Sequence, residues 1–418
     1  MPDHKRASGS RSCRGTAYVL VLACSALIAV VGVAGVLAAR VLRTSLHSHT
    51  DAAKARVGAQ SAIESTLMEA ANTIGWRTSA AAGPITTTPP NMQRLSVVAS
   101  DPVDADLINS IQDPVDLVAS AAAGETNQMA SLRLTPTQTP MSCMNYGIIA
   151  NGNIVFDGTQ ILLRQPVHSN GAISALGGSV IGADVSATGL ITGITYQGSI
   201  APLSPSVPVP NSSVVASYAK RGVKINYNSI AGAAIDKVLI SPLANPYGAS
   251  TSASGIYEID CSNKPLTIKD SRIVGTLVIT RCTLLVIEKN ISWEPASPEL
   301  PALVSDSPVE YKFDATDLSE SAQNRNFNPP GTPYRGLTNS TQTDRMASVL
   351  RGVYFTSGNV NLSGGKPTFE GRLIVGGTLN IKASPVRVRR DIAETPMEGF
   401  IDHGPFLITP GTLRRAVN

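Results

Sequence analysis

The sequence predicts a mainly β protein carried on one long N-terminal transmembrane helix, with a small β region after the helix and an irregular parallel β-solenoid beyond it. Three observations lead there. An uncharged apolar stretch runs from Thr16 to Ala39. No proline interrupts the chain between Pro2 and Pro84, so nothing stops a helix at the end of that stretch. From about Gly147 onward, short aliphatic runs alternate with Gly, Asn, Ser and Asp, the texture of rungs that bury an apolar row only by stacking on one another. A β-sandwich is the alternative arrangement for this last part.

The 418 residues allow two or three domains. Charged residues make up only 15% and aromatics 5%, against 35 glycines and 28 prolines, which favours short strands and turns over long surface helices. The net charge of +4 is gathered at the ends, with Lys5, Arg6, Arg11 and Arg14 before the apolar stretch and Arg387, Arg389 and Arg390 near the other terminus. No basic stripe is interleaved with aromatics, so nucleic acid is not an expected partner.

The apolar stretch is roughly 24 residues, about 36 Å as helix, and spans a bilayer. Arg14 and Arg40 bracket it. The basic tail, residues 1–15, contains a single acid, Asp3, so the positive-inside rule places it in the cytoplasm. The expectation is a single-pass protein of the inner (cytoplasmic) membrane, with the lipid bilayer as a partner and its bulk periplasmic or extracellular. A cleaved signal peptide, cut near Ala34 or Ala38, has a shorter apolar core than this. Leu20 to Cys24 is similar to a lipobox, but the sequence stays apolar well beyond Cys24.

Helical periodicity continues through residues 40–75. Leu42, Leu46, Ala53, Val57, Ile63, Leu67, Ala70 and Ile74 recur mainly at spacings of three, four and seven, one apolar stripe on an amphipathic extension. Residues 76–142 form a small β region or a linker. Leu95–Val98, Val115–Val118 and Ala130–Leu134 have strand character, and Asp101-Pro102 and Asp113-Pro114 mark turns. The solenoid-like domain occupies 143–391, broken by Pro-rich insertions near 201–215 and 294–335, and residues 392–418 are a C-terminal tail. Within the solenoid, Arg272–Ile279 aligns with Arg372–Ile381 as a repeated unit.

Of five cysteines, Cys13 and Cys24 lie in or beside the apolar stretch, leaving Cys143, Cys261 and Cys282 outside it. No CxxC and no zinc-like His/Cys spacing occurs. A Cys261–Cys282 disulfide and free buried thiols both remain open.

Arg14-Gly15, the long apolar helix, Arg43-Thr44-Ser45 and Ala59-Gln60-Ser61-Ala62-Ile63-Glu64 together resemble the N-terminal region of X-type minor pilins of type IV pilus assembly. The resemblance implies prepilin-type cleavage between Gly15 and Thr16. Prepilins usually carry a glutamate five residues after that glycine, a buried carboxylate that needs a partner in lipid. Leu20 stands there instead, which implies a minor or tip-like subunit rather than the major filament subunit. The β-rich part resembles solenoid-like exported domains on pilin-type anchors in Planctomycete-like proteins, as does the ending from Pro396 to Arg415, where Leu413 replaces a tryptophan.

The function this implies is structural or adhesive, in a type IV pilus or pseudopilus-like assembly, with other pilin-like subunits or the secretion machinery as partners. A single-pass anchored solenoid that binds cell-surface polysaccharide is the second reading, and a carbohydrate-active β-helix enzyme the third. No catalytic, cofactor or metal residues are expected. Neither His4, in the tail, nor His47 and His49, two apart on a helix, forms a metal pair. No Gly-x-Ser-x-Gly elbow supports a triad on His168, and His403 fits a turn. Asp157, Asp184, Asp260, Asp270 and Glu288 are scattered as solvated corner acids, and Tyr196, Tyr227, Tyr247 and Trp293 are isolated.

Overall fold

The computed structural model describes residues 13–417 except 74, 88–93, 109–112, 137–138, 158–160, 177–179, 249, 314–315, 383–385, 390–395 and 403–406. The helix α1 spans Cys13–Asn72, 60 residues and about 90 Å long. Its hydroxyls fold back on its own carbonyls, Ser25 Oγ to Val21 O at 2.8 Å and Thr44 Oγ1 to Arg40 O at 2.9 Å, so they need no water. Gly75, at φ 74°, turns the chain into the short helix α2 (Trp76–Ala81). A Cβ there would lie 2.7 Å from Ser217 Oγ, so glycine is required twice over.

α1 has two parts with different surroundings. From Thr16 to Thr50 every residue is exposed. From Ala55 onward the helix lies on an antiparallel sheet of β1 (Ile85–Thr87), β2 (Arg94–Ser100), β3 (Val115–Ala123) and β4 (Thr126–Thr135) in that order. The buried stripe is Ala55, Gly58, Ala59, Ala62, Ile63, Thr66 and Ala70. It meets Val97, Leu117, Ala119, Leu132 and Leu134, the inward residues of strictly alternating strands. The stripe expected from long aliphatics is thereby corrected: Leu42, Leu46, Ala53 and Val57 are exposed, and Ile74 lies outside the described residues. Small side chains win because they let the helix backbone approach the sheet. The chain end is no free tail. Leu407–Ile408 and Arg414–Val417 both pair antiparallel with β4.

Apart from two short antiparallel pairs, Leu318–Ser319 with Arg345–Met346 and Thr139–Pro140 with Ile401–Asp402, the remaining described strands form one sheet whose pairings are parallel, which excludes the sandwich. It winds as a three-faced solenoid whose inward residues stack in continuous ladders. On the second face the ladder is Ile235, Ile268, Ile287, Tyr311, Leu362, Ile381, Phe156 and Ala175. All of these face one apolar core. Each rung alone could not bury its row. Corners are not confined to Gly and Asn: Ser262, Asp270, Arg281 and Lys289 also take positive φ.

The rungs do not follow chain order. Residues 223–389 climb to a last rung that stacks beneath the first rung of 148–163: Leu373, Leu379 and Val386 pair with Ile148, Ile154 and Ile161. Residues 148–201 then continue the climb. The chain returns from the top to the bottom through residues 202–222, which include α3 (Ser213–Arg221). α3 lies on the first face, where Val214, Val215 and Tyr218 cover outward-pointing Ile149, Val278, Val304, Phe355 and Ile374. The third face is covered by the insertion 316–348, which packs Leu318, Phe327 and Met346 on Leu239.

The Arg272–Ile279 and Arg372–Ile381 segments are not equivalent around the rung. Leu277 lies on the first face beside Leu303, whereas its aligned partner Leu379 lies on the second beside Val360. Every face uses the same apolar-x-apolar pattern, so an alignment displaced by one face still matches.

Candidate functional site

Cys261 and Cys282, at the same corner of adjacent rungs with Cα atoms 4.9 Å apart, are joined in a disulfide. Cys24 is an exposed free thiol, and Cys143 is buried. Gly15 and Thr16 lie in the first turns of α1.

Among the described residues, no helix or insertion lies over the second face. Its outward column runs Asp236, Lys269, Glu288, Lys312, alternating in sign on successive rungs. Lys269 Nζ is 3.8 Å from Asp236, and Lys382 Nζ is 3.6 Å from Asp157. Parallel in-register strands place outward neighbours about 4.8 Å apart, so like charges there would repel. The third face repeats the device: Arg351 lies 3.6 Å from Glu294 and 2.7 Å from Glu370. Beside the first ladder, Asn380 Nδ2 donates to Asn361 Oδ1 at 3.0 Å. Asp157, Glu310, Asn361, Ser363, Asn380 and Lys382 line a groove of about 460 Å³ on this face. Two residues beyond Ser363, Gly365 takes φ 71°, and a Cβ there would overlap the Phe313 carbonyl.

The expected corner acids are separately satisfied. Asp184 accepts from Ser199 N and Oγ, both at 2.8 Å, and these bonds hold its carboxyl below the usual range. Asp260 is bonded by Arg281, which lowers its pKa, and Asp270 is 3.7 Å from Lys289. Glu288 is a rung of the charge ladder. Trp293 is fully buried, edge-on to Tyr354 at 5.4 Å, and so is a core residue rather than a stacking platform. Tyr196 is half-exposed, and Tyr227 is tied to Pro265 O at 2.6 Å.

His47 and His49 are exposed on α1, while His4 and His403 lie outside the described residues. His168 is 1% exposed. Its Nδ1 lies 2.7 Å from Ser186 Oγ and its Nε2 3.0 Å from Asn170 Oδ1. The amide oxygen accepts, so Nε2 carries the proton and the Ser186 hydroxyl donates to Nδ1. The third partner is an amide rather than a carboxylate, and the Tyr146 ring covers the imidazole at 5.1 Å. Burial pushes the His168 pKa down.

No family model matches the chain, and no curated protein matches it. Among solved structures it is similar to the competence-associated pilin ComZ from Thermus thermophilus, at 10% identity over 88% of this chain and 98% of that one, TM-score 0.31. It is also similar to an ice-binding protein from the Antarctic ascomycete Antarctomyces psychrotrophicus, at 11% identity over 60% of this chain and 100% of that one, TM-score 0.27. A third is an ice binding protein from an Antarctic biological consortium, at 11% identity over 60% of this chain and 92% of that one, TM-score 0.30.

Sequence reading found the acids Asp157 and Glu288 but not their basic partners, and it missed Asn361 and Asn380. The available signal was a charged or amide residue recurring after roughly one rung. It becomes visible only once the rung length is known.

Proposed function

We propose that this protein is a membrane-anchored, pilin-like envelope component, structural or adhesive rather than catalytic, that displays a β-solenoid from a type IV pilus or pseudopilus-like assembly. The observation that carries this reading is the division of α1. Its apolar half stands free and is long enough to cross a bilayer. Its second half is the spine of a small antiparallel sheet, the way a pilin-like domain is built. In this reading the N-terminus is cytoplasmic, the anchor sits in the inner membrane, and other pilin-like subunits pack along the exposed helix. Mass spectrometry of the N-terminal peptide, from protein isolated from its native envelope, tests it. A mature N-terminus at Thr16 supports the prepilin route. An intact tail carrying Arg11 and Arg14 makes the helix a plain anchor, and a lipid on Cys24 sinks both.

The open second face favours one further role, contact with surface polysaccharide. Its amides and alternating charges offer hydrogen-bond donors and acceptors along a flat row. Retention of the detergent-solubilised protein on immobilised envelope polysaccharide, lost on Asn361→Ala with Asn380→Ala, is the expected result. Equal retention of the variant removes this role.

A further inference from the structure

The two ends of the solenoid are finished differently. The bottom rung is closed. Its inward residues Ile225, Ile235 and Ile240 are buried although, among the described residues, no strand pairs beneath them. Tyr227 and Tyr247 pack against the core there, and Ser229 Oγ donates to the Tyr247 carbonyl at 3.2 Å. Lys224, Asp236 and Lys237 give this rung charge of both signs.

The top rung has no such cover. It consists of Ile191–Thr192, Thr195–Tyr196 and Ile200–Ala201, each paired with the rung below. Among the described residues, no strand pairs with their upper edges. Ile173 and Val185 are buried, but Ile191 and Ile200, stacked on them, are only partly so. Tyr196 is half-exposed, and Leu190 and Leu203 stand 64% and 74% exposed. Leu203 is held out by a turn, its N–H donating to Gly189 O at 3.4 Å while Ser204 N–H donates to Ala187 O at 2.9 Å. A solenoid that ends without a polar cap presents both its core and its strand edges.

The chemistry of this end selects what covers it. No Asp, Glu, Lys, Arg or His occurs between Asp184 and Lys220, and no proline between Pro166 and Pro202. Charged side chains and prolines are the usual blocks on a sheet edge, and the top rung has neither. A surface that meets its own copy across a two-fold axis sets like against like. A charged end would therefore repel itself, and this end does not. We propose that the top rung is a self-association surface, on which a second copy of this chain stacks top to top. Each edge strand has only two residues, so few backbone bonds are added. The apolar contact of Leu190, Tyr196, Ile200 and Leu203 carries the affinity. A single rung offers less than the about 800 Å² a side of a standard interface, so the pair is weak and reversible. It joins two solenoids into one longer stack, whichever way the N-terminus is processed.

The test uses the full chain in detergent micelles, followed by sedimentation velocity across a concentration series. Dimers are expected with a Kd on the order of 10⁻⁶–10⁻⁴ M. Leu190→Glu with Leu203→Glu should weaken dimerisation about tenfold or more, with an unchanged melt because both side chains are exposed. Leu190→Lys with Leu203→Lys should do the same. An equimolar mixture of the two variants should dimerise again, a rescue that neither misfolding nor association through α1 would give. Leu243→Glu, an equally apolar and exposed site at the other end, should dimerise like the wild type. Monomers throughout the series, an acidic variant that dimerises like the wild type, a mixture no better than either variant alone, or equal weakening by Leu243→Glu would each overturn the proposal.

Discussion

Arg272 and Glu294 meet at 2.9 Å across two adjacent rungs of the solenoid's third face, with the arginine side chain 1% exposed and the glutamate 28%. The same guanidinium donates to the carbonyls of Phe327 at 2.7 Å, Thr332 at 3.0 Å and Pro333 at 2.7 Å. One buried side chain therefore fastens the insertion 316–348 to the rungs. Arg272→Met is expected to orphan all three carbonyls and to cost about 3 kcal/mol of stability in urea unfolding. Proteolysis should then cut the insertion first.

Lys269 separates two carboxylates, with Asp236 on one rung and Glu288 on the next. Lys269→Glu would set three acids in a row. The expected loss is about 0.5–1 kcal/mol, smaller in high salt because the column is solvated. A melt that does not move in low salt would show that the alternation carries no energy.

The Cys261–Cys282 bond closes a loop with a sequence separation of 21. Replacing both cysteines with alanine is expected to cost about 2–4 kcal/mol, since the unfolded chain regains the freedom of that loop. Thermal melts of the variant and of the reduced wild type should agree.

His168 gives a pH dependence whose sign is fixed. Burial lowers its pKa from 6.5, so the unfolded state binds the proton more tightly than the folded one. This contribution is whole above pH 6.5 and is lost as pH falls below it towards the folded value. Denaturant midpoints measured across that window should fall in the wild type and flatten in His168→Gln.

Ala59, 1% exposed, lies where α1 touches the sheet. Ala59→Leu should lift the helix and cost about 1–3 kcal/mol. Val57→Ala, on the exposed side, should leave the melt unchanged.

The long apolar helix and the solenoid texture were legible because each depends on local pattern: unbroken apolarity for one, apolar-x-apolar runs for the other. The packing stripe of α1 was misread because long aliphatics dominate a periodicity count, while contact with a sheet selects Ala55, Ala59 and Ala62. The charge ladders were hidden because their members lie a whole rung apart. The junction of Leu373 with Ile148 was hidden more deeply, since no local pattern announces a contact between segments so far apart in the chain.

The closing of the chain end onto β4 changes how the solenoid is held. Two segments cross between it and the small sheet, one outgoing after Thr135 and one returning before Leu407. They are stitched together where Thr139–Pro140 pairs with Ile401–Asp402 and where Met141 N donates to Phe400 O at 2.8 Å. A load pulling on the solenoid is thus divided between two cords rather than borne by one. A protease that severs either cord leaves the solenoid still moored to the N-terminal helix.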